Sequence, residues 1–231
     1  MHSADPSDSV SSQRGGAARL PQDLAAAFLA RARRVSAGAG QAVIGEGTRS
    51  SEVYYIVAGT LTASVLSFGG WETVFRDMGP GELVGELAAI DGGERSASVV
   101  AQRNSELAVL SAEQFRSFLS DVPGAGLWQA QQLAVRVRNL SDRAFEMASL
   151  PVAGRLIAEL LRLPGSGQGE ARSVPRMPTH AELAARIGTH RETATRELRA
   201  LARQGLIVQQ GRTLTIPSVP QLEALMQELR R

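Results

Sequence analysis

Residues 79–99 read GPGELVGELAAIDGGERSASV, and this stretch has the residue types of a phosphate pocket. Its core is Gly85-Glu86-Leu87-Ala88, and Arg95-Ser96-Ala97 follows nine residues after Glu86. A short helical turn after a glycine leaves backbone N–H groups free to face an anion, and an arginine returning over that turn adds charge and a two-pronged hydrogen bond. Glu86 supplies an acceptor. A phosphate attached to a ribose wants that combination: amides and a guanidinium for the phosphate, a carboxylate for a sugar hydroxyl. The competing reading makes Gly85 a tight turn and Glu86–Arg95 an internal salt bridge. The downstream Arg-Ser-Ala and the flanking strands favour the pocket.

Working outward, Ala42-Val43-Ile44, Val53-Tyr54-Tyr55-Ile56-Val57, Leu61-Thr62-Ala63-Ser64-Val65, Thr73-Val74-Phe75, Ala97-Ser98-Val99-Val100 and Leu107-Ala108-Val109-Leu110 are short β-prone runs. Glycines, among them Gly45, Gly59, the Gly69-Gly70 pair and Gly79, punctuate them. Many short strands with glycine turns predict a small antiparallel barrel or jelly roll. The pocket interrupts it between two strands, where a closed barrel can admit a ligand. Ahead of the strands, residues 21–34 carry Leu24, Phe28 and Leu29 over an arginine-bearing face, which predicts an amphipathic helix. Residues 1–20 are rich in Ser, Gly, Ala and Asp and are expected to be a disordered tail.

Downstream, residues 111–119 predict a short helix capped by Ser111, and a long helix opens after Pro123-Gly124. Along it, Gly126, Ala130, Leu133, Val137, Leu140, Ala144 and Met147 alternate spacings of four and three, a heptad seam. A helix with such a seam either packs on its own barrel or finds a second copy, and a parallel homodimer is the preferred expectation. Pro151 ends or bends this helix, and residues 152–163 form another with an apolar face. Residues 164–178, with three prolines and three glycines, are expected to be a loop holding at most a short hairpin. The division that follows is a tail over 1–20, a β-roll over 21–122, a dimerisation helix over 123–150 and a C-terminal domain over 151–231.

Charge separates these parts. All 25 basic side chains are arginine; residues 1–150 hold 13 of them against 16 acidic groups, a balance of −3, and residues 151–231 hold 12 against 7, a balance of +5. A basic C-terminal third points to a polyanion partner. Cysteine is absent, which removes disulfides, thiolate nucleophiles and cysteine-ligated metals. No run is long enough for a membrane span and the N-terminus lacks a signal-peptide core, so the expected setting is cytoplasmic, with no membrane partner. Neither a metal-ligating cluster nor an activated nucleophile is evident, and no catalytic residue is assigned.

In the basic third, Thr179 and Glu182 form a capping-box pattern, the helix they open stops at Gly188, and Thr189 with Glu192 repeats the pattern for a helix reaching about Gln204. Two such helices across a glycine predict a helix-turn-helix whose second helix enters a DNA major groove. His190, Arg191, Glu192 and Arg196 stand at its N-terminal end. Arginine reads guanine with two hydrogen bonds and glutamate accepts from cytosine N4. The competing reading is an i,i+4 surface ion pair between Glu192 and Arg196. Leu206-Ile207-Val208, a turn through Gly211 and Leu214-Thr215-Ile216 predict a two-stranded wing.

Taken together, the G-E-L-A and R-S-A elements, the segment Gly188-Thr189-His190-Arg191-Glu192-Thr193-Ala194-Thr195-Arg196 and the stretch Val152-Ala153-Gly154-Arg155 resemble the cyclic-AMP receptor protein family of bacterial transcription regulators, the CRP/FNR superfamily. The resemblance covers nearly everything after about residue 25. It implies an α+β fold: an N-terminal cyclic-nucleotide-binding β-roll of the jelly-roll type, a long dimerisation helix and a C-terminal winged helix-turn-helix that moves when nucleotide binds. By that resemblance Glu86 holds the ribose 2′-hydroxyl, while Arg95, Ser96, Ala97 and the amides around Gly85, Leu87 and Ala88 hold the cyclic phosphate. Arg191, Glu192 and Arg196 read bases, Thr189 and His190 touch phosphates, and Thr193 belongs to the same DNA-facing set. It further implies TGTGA-related half-sites in an inverted repeat and RNA polymerase as a partner. The family's cyclic-AMP sensors offer a Thr-Ser pair from the long helix to the base, and here those positions are Leu140 and Ser141. Ser141 keeps one hydrogen bond and Leu140 none. The resemblance implies cyclic AMP as effector, alternatively cyclic GMP, whose guanine ring Ser96 beside Arg95 could serve; a further alternative is a ligand-independent DNA-binding regulator with a vestigial pocket. No other cofactor is expected.

Overall fold

The computed structural model describes residues 18–66, 72–167 and 169–230. Most of the expected tail, and the turn at Gly69-Gly70, lie outside them. The chain divides into two compact units, one ending at Arg136 and the other beginning at Val137.

The first unit is built on two four-stranded antiparallel sheets. Its strands are β1 (Arg33–Ala37), β2 (Ala42–Ile44), β3 (Val53–Ala58), β4 (Leu61–Leu66), β5 (Glu72–Met78), β6 (Leu83–Val84), β7 (Ser98–Ala101) and β8 (Ser105–Leu110). One sheet runs β1-β8-β3-β6 and the other β2-β7-β4-β5. Every strand sends a residue into the shared core: Ala37, Ile44, Ile56, Leu61, Met78, Val84, Val99, Ala101 and Leu107. Each fully buried aliphatic side chain there is worth about 1.5–3 kcal/mol. The six strands expected from sequence are all present. The outer face of β8 and β3 is covered by helices α1 (Gln22–Leu29) and α3 (Ala112–Asp121), whose Phe28, Phe115 and Phe118 are wholly buried and stack edge-on or offset. Ser111 caps α3 in a full capping box with Gln114. β8 is consequently apolar on both faces.

Two expectations need correction here. The helix expected over residues 21–34 stops at Leu29, and Arg33 and Arg34 instead begin β1, because their backbone pairs with Val109 and Ala108 of β8. At the end of the expected tail, Leu20 is buried in the α1–α3 cluster and its amide donates to the Gly81 carbonyl.

Helix α4 (Ala125–Ser149) contributes its first half to this unit and its second half to the other. In the first half Ala125 and Gln129 are buried. On the expected seam Gly126 and Leu133 are half-buried, whereas Ala130, Val137, Leu140, Ala144 and Met147 are exposed. Leu127, Val137, Leu140 and Phe145 each leave about 60% of their surface open, at 66%, 61%, 61% and 59%.

The second unit packs α5 (Val152–Arg162), α6 (His180–Arg186), α7 (Arg191–Arg203) and α8 (Val219–Glu228) with a small sheet. The sheet has three strands, β9 (Arg172–Val174), β10 (Val208–Gln210) and β11 (Thr213–Ile216), in the order β10-β11-β9, so the expected two-stranded wing gains a third member. Leu156, Ile157, Leu160, Leu183, Ile187, Leu198, Leu214 and Leu222 form its core. Beside that core lie two buried carboxylates. Glu159 of α5 faces Arg186 at 3.1 Å and Arg143 and Arg162 at 3.8 Å, and Glu146 of α4 is paired with Arg162 and with Arg230 at 3.7 Å.

Candidate functional site

In the first unit, β6 ends at Val84 and helix α2 (Glu86–Asp91) begins after Gly85. Gly85 sits at φ +87°, and a β-carbon there would lie 2.5 Å from Arg95 Nη1 and 2.8 Å from the Glu52 carbonyl. Glycine is thus required twice, by backbone conformation and by space. The close neighbour is Arg95, which is 4% exposed. Its Nη1–H donates to the Gly85 carbonyl at 2.7 Å, Nη2–H to the Glu52 carbonyl at 2.8 Å and Nε–H to Ser50 Oγ at 2.9 Å. A guanidinium carries five N–H donors, so two remain beyond these three. Burial lowers the Arg95 pKa from its ordinary value; Tyr54, Glu52 and Glu86 work against that. Burial, then the charge of Glu52, raises the Tyr54 hydroxyl. The backbone is laced as tightly: Arg95 N–H donates to the Thr48 carbonyl, and the Arg95 carbonyl accepts from Gly47 N–H.

Glu86, 5% exposed, does not pair with Arg95. Its Oε1 accepts from Arg136 Nη1 at 2.5 Å. The competing Glu86–Arg95 salt bridge is therefore absent: Glu86 pairs with Arg136, and Arg95 Nη2 lies 3.8 Å from the Glu52 carboxylate. Of the expected set, Arg95 meets the Gly85 turn directly; Ala88 is buried, Leu87 and Ala97 half-buried, and Ser96 exposed. Ser141 lies on the part of α4 that belongs to the second unit and is exposed there. Sequence reasoning missed Arg136, Ser50 and Glu52. Arg136 sits beside the heptad seam like any solvated arginine, and Ser50 and Glu52 occupy an ordinary polar loop.

In the second unit, α6 opens with the expected capping box, Thr179 Oγ1 accepting from Glu182 N–H and the Glu182 carboxylate accepting from Thr179 N–H. The second expected box is absent: the cap of α7 is His190, with no side-chain cap bond. Gly188 turns at φ +61° and Thr189 N–H closes α6 by donating to the Ala184 carbonyl, so Thr189 still belongs to the turn and α7 starts one residue later than expected. This leaves Glu192 exposed and without a partner among the described residues. Arg196 lies 3.4 Å from Glu197, and the i,i+4 pair with Glu192 is not formed. Arg191, Glu192 and Arg196 are exposed, as is His190; Thr189 and Thr193 are half-buried. His180 Nδ1 and Thr195 Oγ1 lie 2.9 Å apart, tying α6 to α7. Two successive helices, the second presenting exposed arginine and glutamate at its N-terminal end, are equipped to read base edges.

Residues 34–121 match the family model of the cyclic nucleotide-binding domain, and residues 154–225 match that of the Crp-like helix-turn-helix domain. The chain is 34% identical over 169 residues to the cyclic AMP receptor protein of Thermus thermophilus, covering 73% of this chain and 76% of that one. The chain belongs to the cyclic AMP receptor protein family of transcription regulators. A second member of this family, the cAMP-activated global transcriptional regulator CRP of Salmonella typhimurium, is 31% identical over 179 residues, 75% of this chain and 84% of that one. Among solved structures, the c-di-GMP-responsive global regulator CLP of Xanthomonas campestris aligns with a TM-score of 0.69 and 25% identity, over 85% of this chain and 99% of that one. As in the CRP/FNR superfamily, the fold combines a cyclic-nucleotide-binding β-roll, a long helix and a C-terminal helix-turn-helix, and the chain is a DNA-binding transcription regulator.

Proposed function

We propose that this protein is a homodimeric regulator that binds cyclic AMP and then recognises an inverted-repeat operator. The observation that carries the reading is Arg95: buried beneath the Gly85 turn, it retains two donors for a phosphate while Ser50, Gly85 and Glu52 hold the other three. Glu86 takes a ribose hydroxyl, and Ser96, Ala97 and the amides at Leu87 and Ala88 complete the phosphate cradle. Ser141 supplies one hydrogen bond to the base. Cyclic AMP is preferred to cyclic GMP because both curated relatives named above are cyclic-AMP regulators by name. The exposed row of Val137, Leu140, Ala144 and Met147 is the dimer seam, residues 21–122 the sensor, 123–150 the dimerisation helix and 151–231 the DNA-binding domain.

The nucleotide acts by binding one arrangement of the two units more tightly than another, since equal affinity for both would shift nothing. Arg191, Glu192 and Arg196 then read half-sites related to TGTGA, with Thr189, His190 and Thr193 at their flanks. The protein works in the cytoplasm, carries out no catalysis and meets RNA polymerase at its promoters.

Isothermal calorimetry with cyclic AMP, cyclic GMP and cyclic di-GMP, each repeated on Arg95→Ala, tests this. Tighter binding of cyclic AMP, lost in the variant, is the expected result. Preference for another nucleotide would replace the effector. Absence of heat with all three, alongside unchanged DNA binding in Arg95→Ala, would establish the ligand-independent alternative, which the saturation of three Arg95 donors by protein acceptors favours.

A further inference from the structure

Helix α7 continues well past the residues that face bases. Arg191, Glu192, Thr195, Arg196, Arg199 and Arg203 share one solvent-open face along its length. The spacing explains why they share it: Arg199 follows Glu192, Thr195 and Arg196 by seven, four and three residues, and Arg203 follows Arg196 and Arg199 by seven and four. The opposite face carries Ala194, Leu198 and Leu201, all buried. Arg199 and Arg203 are exposed and neither has an acidic partner among the described residues. Like charges four apart destabilise a helix by a few tenths of a kcal/mol. A cation in the last turn complements the helix dipole, which accounts for Arg203 and leaves Arg199 unexplained by folding.

Length supplies the rest of the argument. At about 1.5 Å per residue, Arg199 stands roughly 12 Å and Arg203 roughly 18 Å along the axis from Arg191. The major groove is about 12 Å wide. A helix that sets Arg191 and Glu192 against base edges therefore carries Arg199 and Arg203 out to the groove wall, where the phosphates are. We infer that Arg199 and Arg203 form a phosphate clamp on the C-terminal half of the recognition helix, gripping the backbone of duplex DNA irrespective of sequence. The inference rests on the DNA-binding reading of α7 and extends its footprint beyond the base-reading residues.

The test uses the full chain with a DNA fragment carrying its selected site and with a scrambled fragment of equal length, titrated between about 50 and 200 mM salt. Arg199→Gln and Arg203→Gln should each weaken both complexes by the same factor. Each should also reduce the slope of log affinity against log salt by about 1 per copy, hence about 2 per dimer. Arg34→Gln, an equal loss of charge on exposed β1, should leave the slope unchanged. An unaltered slope and affinity in both clamp variants would overturn the inference, and so would a loss confined to the selected fragment with the slope intact, which marks a base contact. A wild-type protein that fails to distinguish the fragments would instead defeat the sequence-specific reading, because the slope on the scrambled fragment still judges the clamp.

Discussion

The Glu86 carboxylate and the Arg136 guanidinium meet at 2.5 Å, with Glu86 almost wholly buried and Arg136 about a third open. The pair joins the turn after β6 to the first half of α4, so the acid expected to hold a sugar hydroxyl is already held by the long helix. A nucleotide engaging Glu86 in the way proposed would have to share or loosen this bond to α4.

Removing one partner should therefore be felt in both stability and binding. Arg136→Ala leaves the Glu86 charge buried and unpaired and is expected to destabilise the first unit by about 2 kcal/mol, less than a fully buried pair because Arg136 is partly solvated. A double-mutant cycle with Glu86→Gln, followed by urea denaturation, should return a coupling energy of at least about 1 kcal/mol. Strict additivity would mean that the two groups do not act as a pair.

Gly85→Ala places a β-carbon 2.5 Å from Arg95 Nη1 at a backbone angle alanine adopts at a cost of about 1–2 kcal/mol. The expected outcome is a variant whose sensor melts several degrees lower and whose nucleotide affinity falls at least tenfold, because Arg95 must shift. Wild-type affinity in calorimetry would show that Arg95 does not grip the ligand from this position.

Glu192 on α7 is exposed and has no partner among the described residues, so its carboxylate is open to DNA. Glu192→Ala should relax base preference at one position of each half-site by about 1–3 kcal/mol while leaving affinity for unrelated DNA nearly unchanged. Selection from a randomised-site library reads this directly; an unchanged motif would remove Glu192 from the reading set.

Glu159, 3% exposed, answers three arginines from α4, α5 and α6. Glu159→Gln removes the charge but little volume and should destabilise the second unit by about 3 kcal/mol, since the clustered guanidinium groups then repel. The melting transition of that unit should shift down while cyclic-nucleotide affinity stays the same. An unshifted transition would show that solvent, rather than Glu159, balances those charges.

What the sequence disclosed depended on whether the signal was local. The six β-prone runs and the Ser111 and Thr179 caps are patterns within a few residues, and the structure contains them. β1 was illegible because Arg33-Arg34-Val35-Ser36-Ala37 has only Val35 and Ala37 turned inward, and its identity comes from pairing with β8 far along the chain. Thr189 was misplaced by one residue because its amide had a competing acceptor in Ala184, which no capping pattern reveals. In the pocket, Gly85, Glu86 and Arg95 were found from their spacing. Arg136 was not, since only the packing of α4 decides that this arginine meets Glu86. α8 went unremarked although Ser218 and Pro220 mark its start.

β8 joins β1 on one side, Arg33 opposite Val109, and β3 on the other, Tyr54 opposite Val109. Its register thus closes the longest loop in the sensor, and β2 likewise waits for β7, with Ala42 opposite Val100. Long-range pairings of this kind are slow to form, and the second unit has its own, Val174 of β9 opposite Leu214 of β11 and Glu146 paired with Arg230. On a ribosome, the nucleotide-binding half therefore cannot seal either sheet until residues past 100 have emerged, and each β1–β3 edge stays open to wrong partners until then. The sensor's closing strands therefore set the pace at which a newly made chain gains its nucleotide-binding half.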